Sequence, residues 1–261
     1  MTVELDGAPV TVADLAALAL NNYGHFTTMR VEAGRVRGLG LHLERLRRDC
    51  SALFDADLDT HRVRRLARRA VGGPDVVVRV TVFDPAVGIG DPATAARPRI
   101  LVTSRPAPGA GAPIAVRSVR GVREVSSVKH TGLFATVHHR RAACAAGFDD
   151  VLFVAPDGRV SEGSTWNVAF VRDDVVVWPA AECLTGVTMR LLRRLLDRLG
   201  VRQRTAPVTL ADLDAGTAAL AMNATMGVRP ITAVDGRRLA SAADLVAALQ
   251  REYAAEEGEP L

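Results

Sequence analysis

Residues 151–178 read VLFVAPDGRVSEGSTWNVAFVRDDVVVW, and this stretch decides the fold. Two apolar runs surround the turn Pro156-Asp157-Gly158, and another two surround Arg172-Asp173-Asp174. Proline, aspartate and glycine favour tight turns between strands, so the stretch predicts two successive β-hairpins. Strands that follow one another without an intervening helix favour an antiparallel arrangement over alternating βαβ units.

Helical patterns lie on both sides of these hairpins. Residues 39–54 carry apolar side chains at three- and four-residue spacing, which predicts an amphipathic helix. Residues 132–146 and 188–199 are predicted helices that end at a glycine, and 241–254 is a predicted helix with Ser241 as its N-cap. Clustered strands with helices outside them predict an α+β protein.

A composition break divides the chain. Residues 104–113 read SRPAPGAGAP and consist mostly of proline, glycine and alanine, which is typical of an extended linker. We therefore expect an N-terminal α/β domain at 1–105, a linker at 106–113 and a C-terminal domain at 114–261. Both parts fall within the usual size range of domains.

The overall composition excludes several classes of protein. The 261 residues are 48% hydrophobic and 24% charged, with a net charge of +4, which is typical of a globular protein and not of a disordered one. The sequence contains no apolar run long enough to cross a bilayer and no secretion signal, so we expect a cytoplasmic protein without membrane contact. Three cysteines without CxxC spacing argue against a disulfide framework or a zinc site.

The chain contains a single lysine, Lys129, whereas the other 32 of its 33 basic residues are arginines. Arginine replaces lysine in ion pairs and on surfaces, but its guanidinium stays protonated and cannot attack a carbonyl carbon. A lysine retained at one position therefore indicates amine chemistry there. The alternative is that one lysine remains on a loop by chance.

Further polar groups stand in the C-terminal part of the chain, and Arg45 stands in the N-terminal part. Glu162 follows the first hairpin, and Leu184-Thr185-Gly186-Val187-Thr188 begins a helix whose N-terminal N–H groups suit a phosphate. Asn223-Ala224-Thr225-Met226 forms a strand-to-loop turn, and Arg45 lies on the 39–54 helix. Taken singly, each has an ordinary explanation: a surface carboxylate, a capped helix, a turn and a solvated arginine. Together with Lys129 they are the groups that pyridoxal phosphate (PLP) requires: an amine, a partner for the pyridine nitrogen and a phosphate site.

Over nearly its whole length the sequence resembles the class IV aminotransferases, the fold-type IV PLP enzymes. This family includes branched-chain and D-amino-acid aminotransferases and aminodeoxychorismate lyase. The stretches that carry the resemblance are Phe26–Val31, His42–Leu46, Val128–His130, Gly147–Glu162, Asn167, Leu184–Thr188 and Asn223–Met226 with Pro230. The resemblance implies a two-domain fold like that of D-amino-acid aminotransferase, and a homodimer whose active site lies at the subunit interface.

The resemblance also implies the role of each site residue. Lys129 would form the Schiff base with PLP, and Glu162 would bind the pyridine nitrogen. Leu184 would pack on the ring face of the cofactor. The phosphate would be held by Arg45, Val187, Thr188, Ala224 and Thr225.

Within this family we expect an aminotransferase that moves an amino group between an amino acid and a 2-keto acid. The alternative is aminodeoxychorismate lyase, which forms 4-aminobenzoate. Phe26-Thr27-Thr28 and residues 223–226 resemble the lyase branch, whereas Lys129-His130-Thr131 lacks the Asn-Arg pair that usually follows the lysine there. The sequence determines neither the substrate side chain, nor the L or D preference, nor the amino acceptor.

Substrate contacts are predicted in the N-terminal part, at Tyr23, His25, Thr28, Arg30 and Arg79. The two arginines would bind a carboxylate, although a structural role on their strands is an equal alternative. The segment 21–25 is about two residues shorter than its counterpart in the family.

A nucleic-acid-binding protein is the competing class. Arginines cluster at 62–69 and at 138–141, but acidic residues offset most of the charge, aromatic residues are 4% of the chain, and we find no nucleic-acid-binding motif. His138 and His139 are adjacent, so on a helix they point about 100° apart, a poor geometry for a metal site. We therefore expect neither nucleic acid nor metal as a partner.

Overall fold

The structure is a computed structural model that describes residues 2–109 and 111–261. It divides into two compact units. Unit 1 contains Met1–Ala107, Val128–Gly132 and Glu257–Leu261, and unit 2 contains Pro108–Ser127 and Leu133–Glu256.

Unit 1 is built on a seven-stranded antiparallel sheet with the order β16-β4-β3-β5-β6-β1-β2. Its strands are β1 (Val3–Leu5), β2 (Ala8–Pro9), β3 (His25–Glu32), β4 (Arg35–Val36), β5 (Asp75–Phe83), β6 (Arg99–Pro106) and β16 (Glu259–Pro260). Its helices are α1 (Val12–Leu20), α2 (Leu39–Phe54) and α3 (Thr60–Arg69).

The core of unit 1 lies between this sheet and α2 and α3. Met29 and Val31 of β3 are fully buried against Leu46 and Cys50 of α2 and Val63 of α3. The apolar stripe predicted for residues 39–54 therefore faces the sheet, as an amphipathic helix requires. Next to this stripe, α2 also buries polar side chains, and these position the candidate site.

Unit 2 is built on a nine-stranded mixed sheet with the order β12-β11-β10-β13-β14-β7-β8-β9, and β15 pairs with β14. Its strands are β7 (Ile114–Arg120), β8 (Asp150–Val154), β9 (Val160–Gly163), β10 (Asn167–Arg172), β11 (Val175–Pro179), β12 (Gln203–Ala206), β13 (Ala218–Asn223), β14 (Gly227–Val234) and β15 (Arg237–Arg238). Its α-helices are α4 (Phe134–Ala145), α5 (Val187–Arg198) and α6 (Ala243–Ala255).

The two predicted hairpins are present as β8–β9 and β10–β11, both antiparallel. Asp173 and Asp174 form the second turn with φ values of 51° and 58°, a conformation that aspartate tolerates better than most residues. Leucines of α5 pack on this sheet: Leu192, Leu195 and Leu196 are each 1% exposed. The α+β class predicted from the sequence is confirmed.

The division into units differs from the predicted domains at two places. Residues 128–132 belong to unit 1 because their backbone pairs with the start of β3, and Glu257–Leu261 belongs there because β16 pairs with β4. Strand β6 also continues to Pro106, inside the proline-rich stretch. Ala110 of the predicted linker lies outside the described residues.

Two further features of the helices bear on the predictions. The predicted N-cap Ser241 is wrong, since α6 begins after Ala242 and no side chain caps it. The arginines of α3 bind groups of unit 1: Arg62 pairs with Asp6, and Arg69 donates to the carbonyl of Gly7. Across the described residues, no helix is long and apolar enough to span a membrane.

Candidate active site

Lys129 is held by its backbone on two sides. The N–H of Phe26 donates to the Lys129 carbonyl at 2.9 Å, and the neighbouring pair His25–His130 forms an antiparallel bridge. On the other side the Lys129 N–H donates to Oδ2 of Asp49 on α2 at 3.0 Å. A short segment therefore places the only lysine of the chain at the start of β3.

The lysine shares one face of the unit 1 sheet with two predicted substrate residues. Its Nζ lies 4.9 Å from the centroid of the Phe26 ring, and the guanidinium carbon of Arg79 lies 3.6 Å from the same centroid. Thr28 is directly opposite Arg79 in the β3–β5 register, so the two side chains point to the same face. Burial lowers the pKa of Arg79, and its Nε donates to the Thr81 hydroxyl at 3.1 Å. The face thus combines a primary amine with a partly buried cation.

Arg45 lies on the buried polar side of α2, where it is 7% exposed. Its Nη2 donates to the Thr27 hydroxyl at 2.5 Å, and the same hydroxyl is 2.7 Å from Nδ1 of His42. Burial lowers the pKa of His42 well below its usual value, and the charges of Arg45 and Lys129 lower it further. The imidazole of His42, between the sheet and α2, therefore stays neutral.

His25 is 0% exposed, and neither of its ring nitrogens has a hydrogen-bond partner among the described residues. Its ring lies 6.1 Å from that of Phe54, on the side of β3 that faces α2. Burial lowers the pKa of His25 to about 4; the charge of Asp49 opposes this shift and that of Arg45 adds to it. The histidine is consequently neutral at physiological pH and presents its ring to the interior of unit 1.

This buried histidine predicts a dependence of stability on pH. The unfolded chain takes up a proton on His25 near pH 6.5, whereas the folded chain does so only near pH 4, so stability falls as the pH drops through this interval. Between pH 7 and pH 5 we expect His25 to account for a loss of about 2 kcal/mol in the free energy of unfolding. Urea denaturation at both pH values checks this: His25→Leu should show a correspondingly smaller loss, and an unchanged loss would contradict it.

Two other predicted substrate residues are engaged with protein groups. Tyr23 is 40% exposed, and its hydroxyl donates to the carbonyl of Leu53 at 2.9 Å. Arg30 binds both oxygens of Asp75, at 2.9 and 2.6 Å, and also pairs with Glu32. Asp75 and Glu32 therefore occupy the guanidinium N–H groups of Arg30 that a substrate carboxylate would need. Arg79 is the better placed of the two arginines to bind such a carboxylate.

In unit 2, Glu162 is buried at the end of β9 and is 6% exposed. Its Oε1 lies 3.3 Å from Nε of Arg123, and its Oε2 accepts the N–H of Leu184 at 3.4 Å. The Arg123 side chain is itself 11% exposed. The carboxylate of Glu162 is thus held in a buried ion pair with Arg123.

The loop after Glu162 is fixed by close packing. A Cβ on Gly163 would lie 1.9 Å from the indole ring of Trp166, so only glycine fits against this buried side chain. The Gly163 N–H also donates to the Trp166 carbonyl at 2.8 Å. The backbone that follows Glu162 is therefore fixed by the contacts between Gly163 and Trp166.

The start of α5 is fixed by Asn167 at the beginning of β10. Its Nδ2 donates to the carbonyl of Leu184 at 2.7 Å, and its Oδ1 accepts the N–H of Gly186 at 3.2 Å. A Cβ on Gly186 would lie 2.2 Å from Oδ1 of Asn167. Gly186 is the N-cap of α5, and no side chain caps the helix. The first turn of α5 begins with Val187 and the buried Thr188.

The turn after β13 is ordered by Asn223. Its Oδ1 accepts the N–H groups of Thr225 at 3.0 Å and Met226 at 2.9 Å. These two backbone N–H groups therefore already donate within the turn. The groups of the turn that could bind a phosphate are the Thr225 hydroxyl and the Ala224 backbone.

Sequence reasoning missed Asp49, Arg123 and the positioning role of Asn167. The signal in the sequence for Asp49 was its position four residues after Arg45 on an amphipathic helix. The signal for Arg123 was its position six residues before Lys129. Neither spacing reveals a partner, because Asp49 and Arg123 bind groups distant in sequence. Among the described residues, no group of three or more histidine, cysteine or acidic side chains is arranged to hold a metal ion.

The residues fit PLP by the chemistry of their donors. Taken by itself, unit 1 has a primary amine with a fixed backbone and a buried arginine. Taken by itself, unit 2 has a buried carboxylate and a helix start with a buried threonine. The hydrogen bonds of Asn167 with Leu184 and Gly186 fix the backbone of that helix start.

Comparison with known proteins agrees with this chemistry. The family model of amino-transferase class IV matches residues 24–234, which is most of the chain. The chain belongs to the class IV aminotransferases. The match includes every one of the proposed cofactor residues, from Arg45 to Thr225.

Individual relatives are more distant. A branched-chain-amino-acid aminotransferase of Pseudomonas aeruginosa is 29% identical over 98 residues, which are 37% of this chain and 32% of that relative. The match thus spans about a third of the curated relative.

Solved structures share the fold over nearly their full lengths. The fold IV transaminase CpuTA1 from Curtobacterium pusillum has a TM-score of 0.78 and 27% identity, covering 94% of this chain and 90% of that one. A PLP-bound hypothetical aminotransferase from Mycobacterium tuberculosis has a TM-score of 0.83 and 21% identity, covering 98% and 99%. The fold-type IV architecture expected from the resemblance is confirmed.

Proposed function

We propose that this chain is a PLP-dependent aminotransferase that transfers an amino group between an amino acid and a 2-keto acid. The observation that carries the proposal is the fixed position of Lys129, the sole lysine of a class IV chain, with its backbone bound to Phe26 and Asp49. When bound, PLP supplies an electron sink for negative charge at the α-carbon of the substrate.

Lys129 has two tasks in this proposal. Its amine would hold the cofactor covalently through the aldehyde, with loss of water. Once a substrate amine had displaced it, Nζ would move a proton between the substrate α-carbon and C4′, as a base and then as an acid. Both tasks require an amine that loses its proton, which arginine does not provide.

The other residues orient the cofactor and the substrate. Glu162, which is ion-paired with Arg123, would hold the proton on the pyridine nitrogen. The phosphate would be bound by Arg45, Val187, Thr188, Ala224 and Thr225, and Leu184 would pack on the ring. On the Phe26 face of unit 1, Arg79 is proposed to bind a substrate carboxylate next to Thr28.

We also propose a homodimer, as the resemblance implies. Helix α4 exposes two apolar side chains, Phe134 at 82% and Val137 at 60%, which a second copy would cover. The three cysteines are free thiols, which supports a reducing, cytoplasmic setting.

A substrate panel tests the activity. Purified protein supplied with PLP is incubated with L- and D-amino acids and either pyruvate or 2-oxoglutarate, and the new amino acid and keto acid are measured. We expect amino transfer with at least one donor. Formation of 4-aminobenzoate from aminodeoxychorismate, with no amino transfer to any acceptor, would contradict the proposal and assign the chain to the lyase branch.

A further inference from the structure

Asp49 is a fully buried carboxylate that binds the backbone of Lys129. Its side chain is 0% exposed, and it lies on α2 one helical turn after Arg45. The two oxygens have different partners: Oδ2 accepts the N–H of Lys129 at 3.0 Å, and Oδ1 accepts from Arg48 at 2.7 and 3.0 Å. Asp49 therefore connects the Lys129 backbone to the Arg48 side chain.

The position of Lys129 depends on this contact. On the other side of the residue, its carbonyl is bound by Phe26, and Thr131 donates to the carbonyl of Gly24 at 2.8 Å. These two bonds attach the segment 128–132 to the sheet, and the Asp49 contact attaches it to α2. A peptide group bound to both a strand and a helix has little freedom to rotate.

Helix α2 also carries Arg45. Residues four apart on a helix are neighbours on one face and are separated by about 6 Å along the axis. Arg45 and Asp49 are both buried on this face, so the helix sets the spacing between the arginine and the anchor of the lysine. In the proposed function, Arg45 binds the phosphate and Lys129 binds the aldehyde of the same cofactor.

We propose that Asp49 is a positioning residue that fixes Lys129 relative to Arg45 and thereby determines how readily the amine bonds to the cofactor aldehyde. The part that concerns the cofactor rests on the proposed function, whereas the anchor itself does not. The alternative is that Asp49 serves only to pair with Arg48, whose side chain is 53% exposed and remains well hydrated without it.

The single lysine makes the anchor directly observable. Protein labelled with ¹⁵N-lysine gives one backbone amide signal, that of Lys129. An N–H bound to a carboxylate exchanges slowly with solvent and resonates at low field. In Asp49→Ala we expect the Lys129 amide to exchange at least about tenfold faster. In Asp49→Asn, which keeps an uncharged acceptor, we expect an upfield move and a smaller rate increase.

Asp84 offers a matched control. It is a buried carboxylate of unit 1, 6% exposed, that accepts the backbone N–H groups of Ala86 and Arg97. Asp84→Asn should leave the Lys129 signal and its exchange rate unchanged within about twofold. Arg48→Gln should do the same, because the bond from Lys129 to Oδ2 remains.

The outcomes separate the two proposals. An unmoved Lys129 signal with wild-type exchange in Asp49→Asn would overturn the anchor, even if Asp49→Ala does not fold. If the anchor holds, PLP should bond to Lys129 about tenfold more slowly in Asp49→Asn than in wild type, measured by the absorption of the lysine-bound cofactor. Equal rates would overturn the positioning role, and no bonding in wild type would contradict the proposed function alone.

Discussion

A Lys129→Arg variant is expected to lose amino transfer by roughly 10⁴-fold, since a positioned acid–base group alone contributes up to about this factor. The guanidinium stays protonated, so it can neither bond to the aldehyde nor take a proton from the α-carbon. Arginine keeps a long basic side chain near the Phe26 ring, where Lys129 Nζ lies 4.9 Å from the centroid, so the fold should be preserved. The initial rate with the best amino donor measures the effect.

Arg65→Lys is the matched control for this substitution. Arg65 is exposed on α3, so the change introduces a second lysine at the surface of the same unit. Its rate should stay within about twofold of wild type. A Lys129→Arg protein with the wild-type rate would contradict a role for this amine in the reaction.

Glu162→Gln is expected to lower kcat by roughly 10²-fold or more, within the range for loss of a group that controls a proton in the transition state. Glutamine has no charge to keep the pyridine nitrogen protonated, so the ring no longer accepts electron density effectively. Stability should fall too, because Arg123 then loses the carboxylate 3.3 Å from its Nε while remaining 11% exposed. Steady-state kinetics and urea denaturation measure the two effects separately.

The exposed Glu182 provides the control, since it lies in the same segment as Leu184 and away from Glu162 in sequence. Glu182→Gln should change neither kcat nor stability appreciably. Glu162→Asp, which keeps the charge on a shorter side chain, should retain more activity than Glu162→Gln. If the glutamine and aspartate variants are equally active, the charge of Glu162 is not what the reaction uses.

Local patterns predicted much of the fold. The apolar spacing of residues 39–54 corresponds to α2, and the Pro-Asp-Gly and Arg-Asp-Asp turns correspond to two hairpins of unit 2. These elements form because each has its periodicity and its turn residues in one continuous stretch. Helix α1 was missed, although Thr11 and Asp14 form a capping box, because none of its residues is fully buried and its apolar residues follow one another without a polar face.

Contacts between residues far apart in the chain could not be predicted from local sequence patterns. Nothing local assigns residues 128–132 to unit 1, since their partners at Phe26 and Asp49 are far away in the chain. The same reason explains why Asp49 and Arg123 were not singled out. A charged residue in a helix or loop has the sequence signature of a solvated one until its burial is known.

Borohydride reduction of the PLP-treated protein, followed by peptide mass mapping, identifies the amine that bonds to the cofactor. Reduction converts the Schiff base to a stable amine, so the adduct remains on its peptide. We expect one pyridoxyl phosphate group per chain, on the peptide that contains Lys129, and none in Lys129→Arg. A catalytically active protein with no adduct at Lys129 would contradict the assignment of this residue as the covalent partner of PLP.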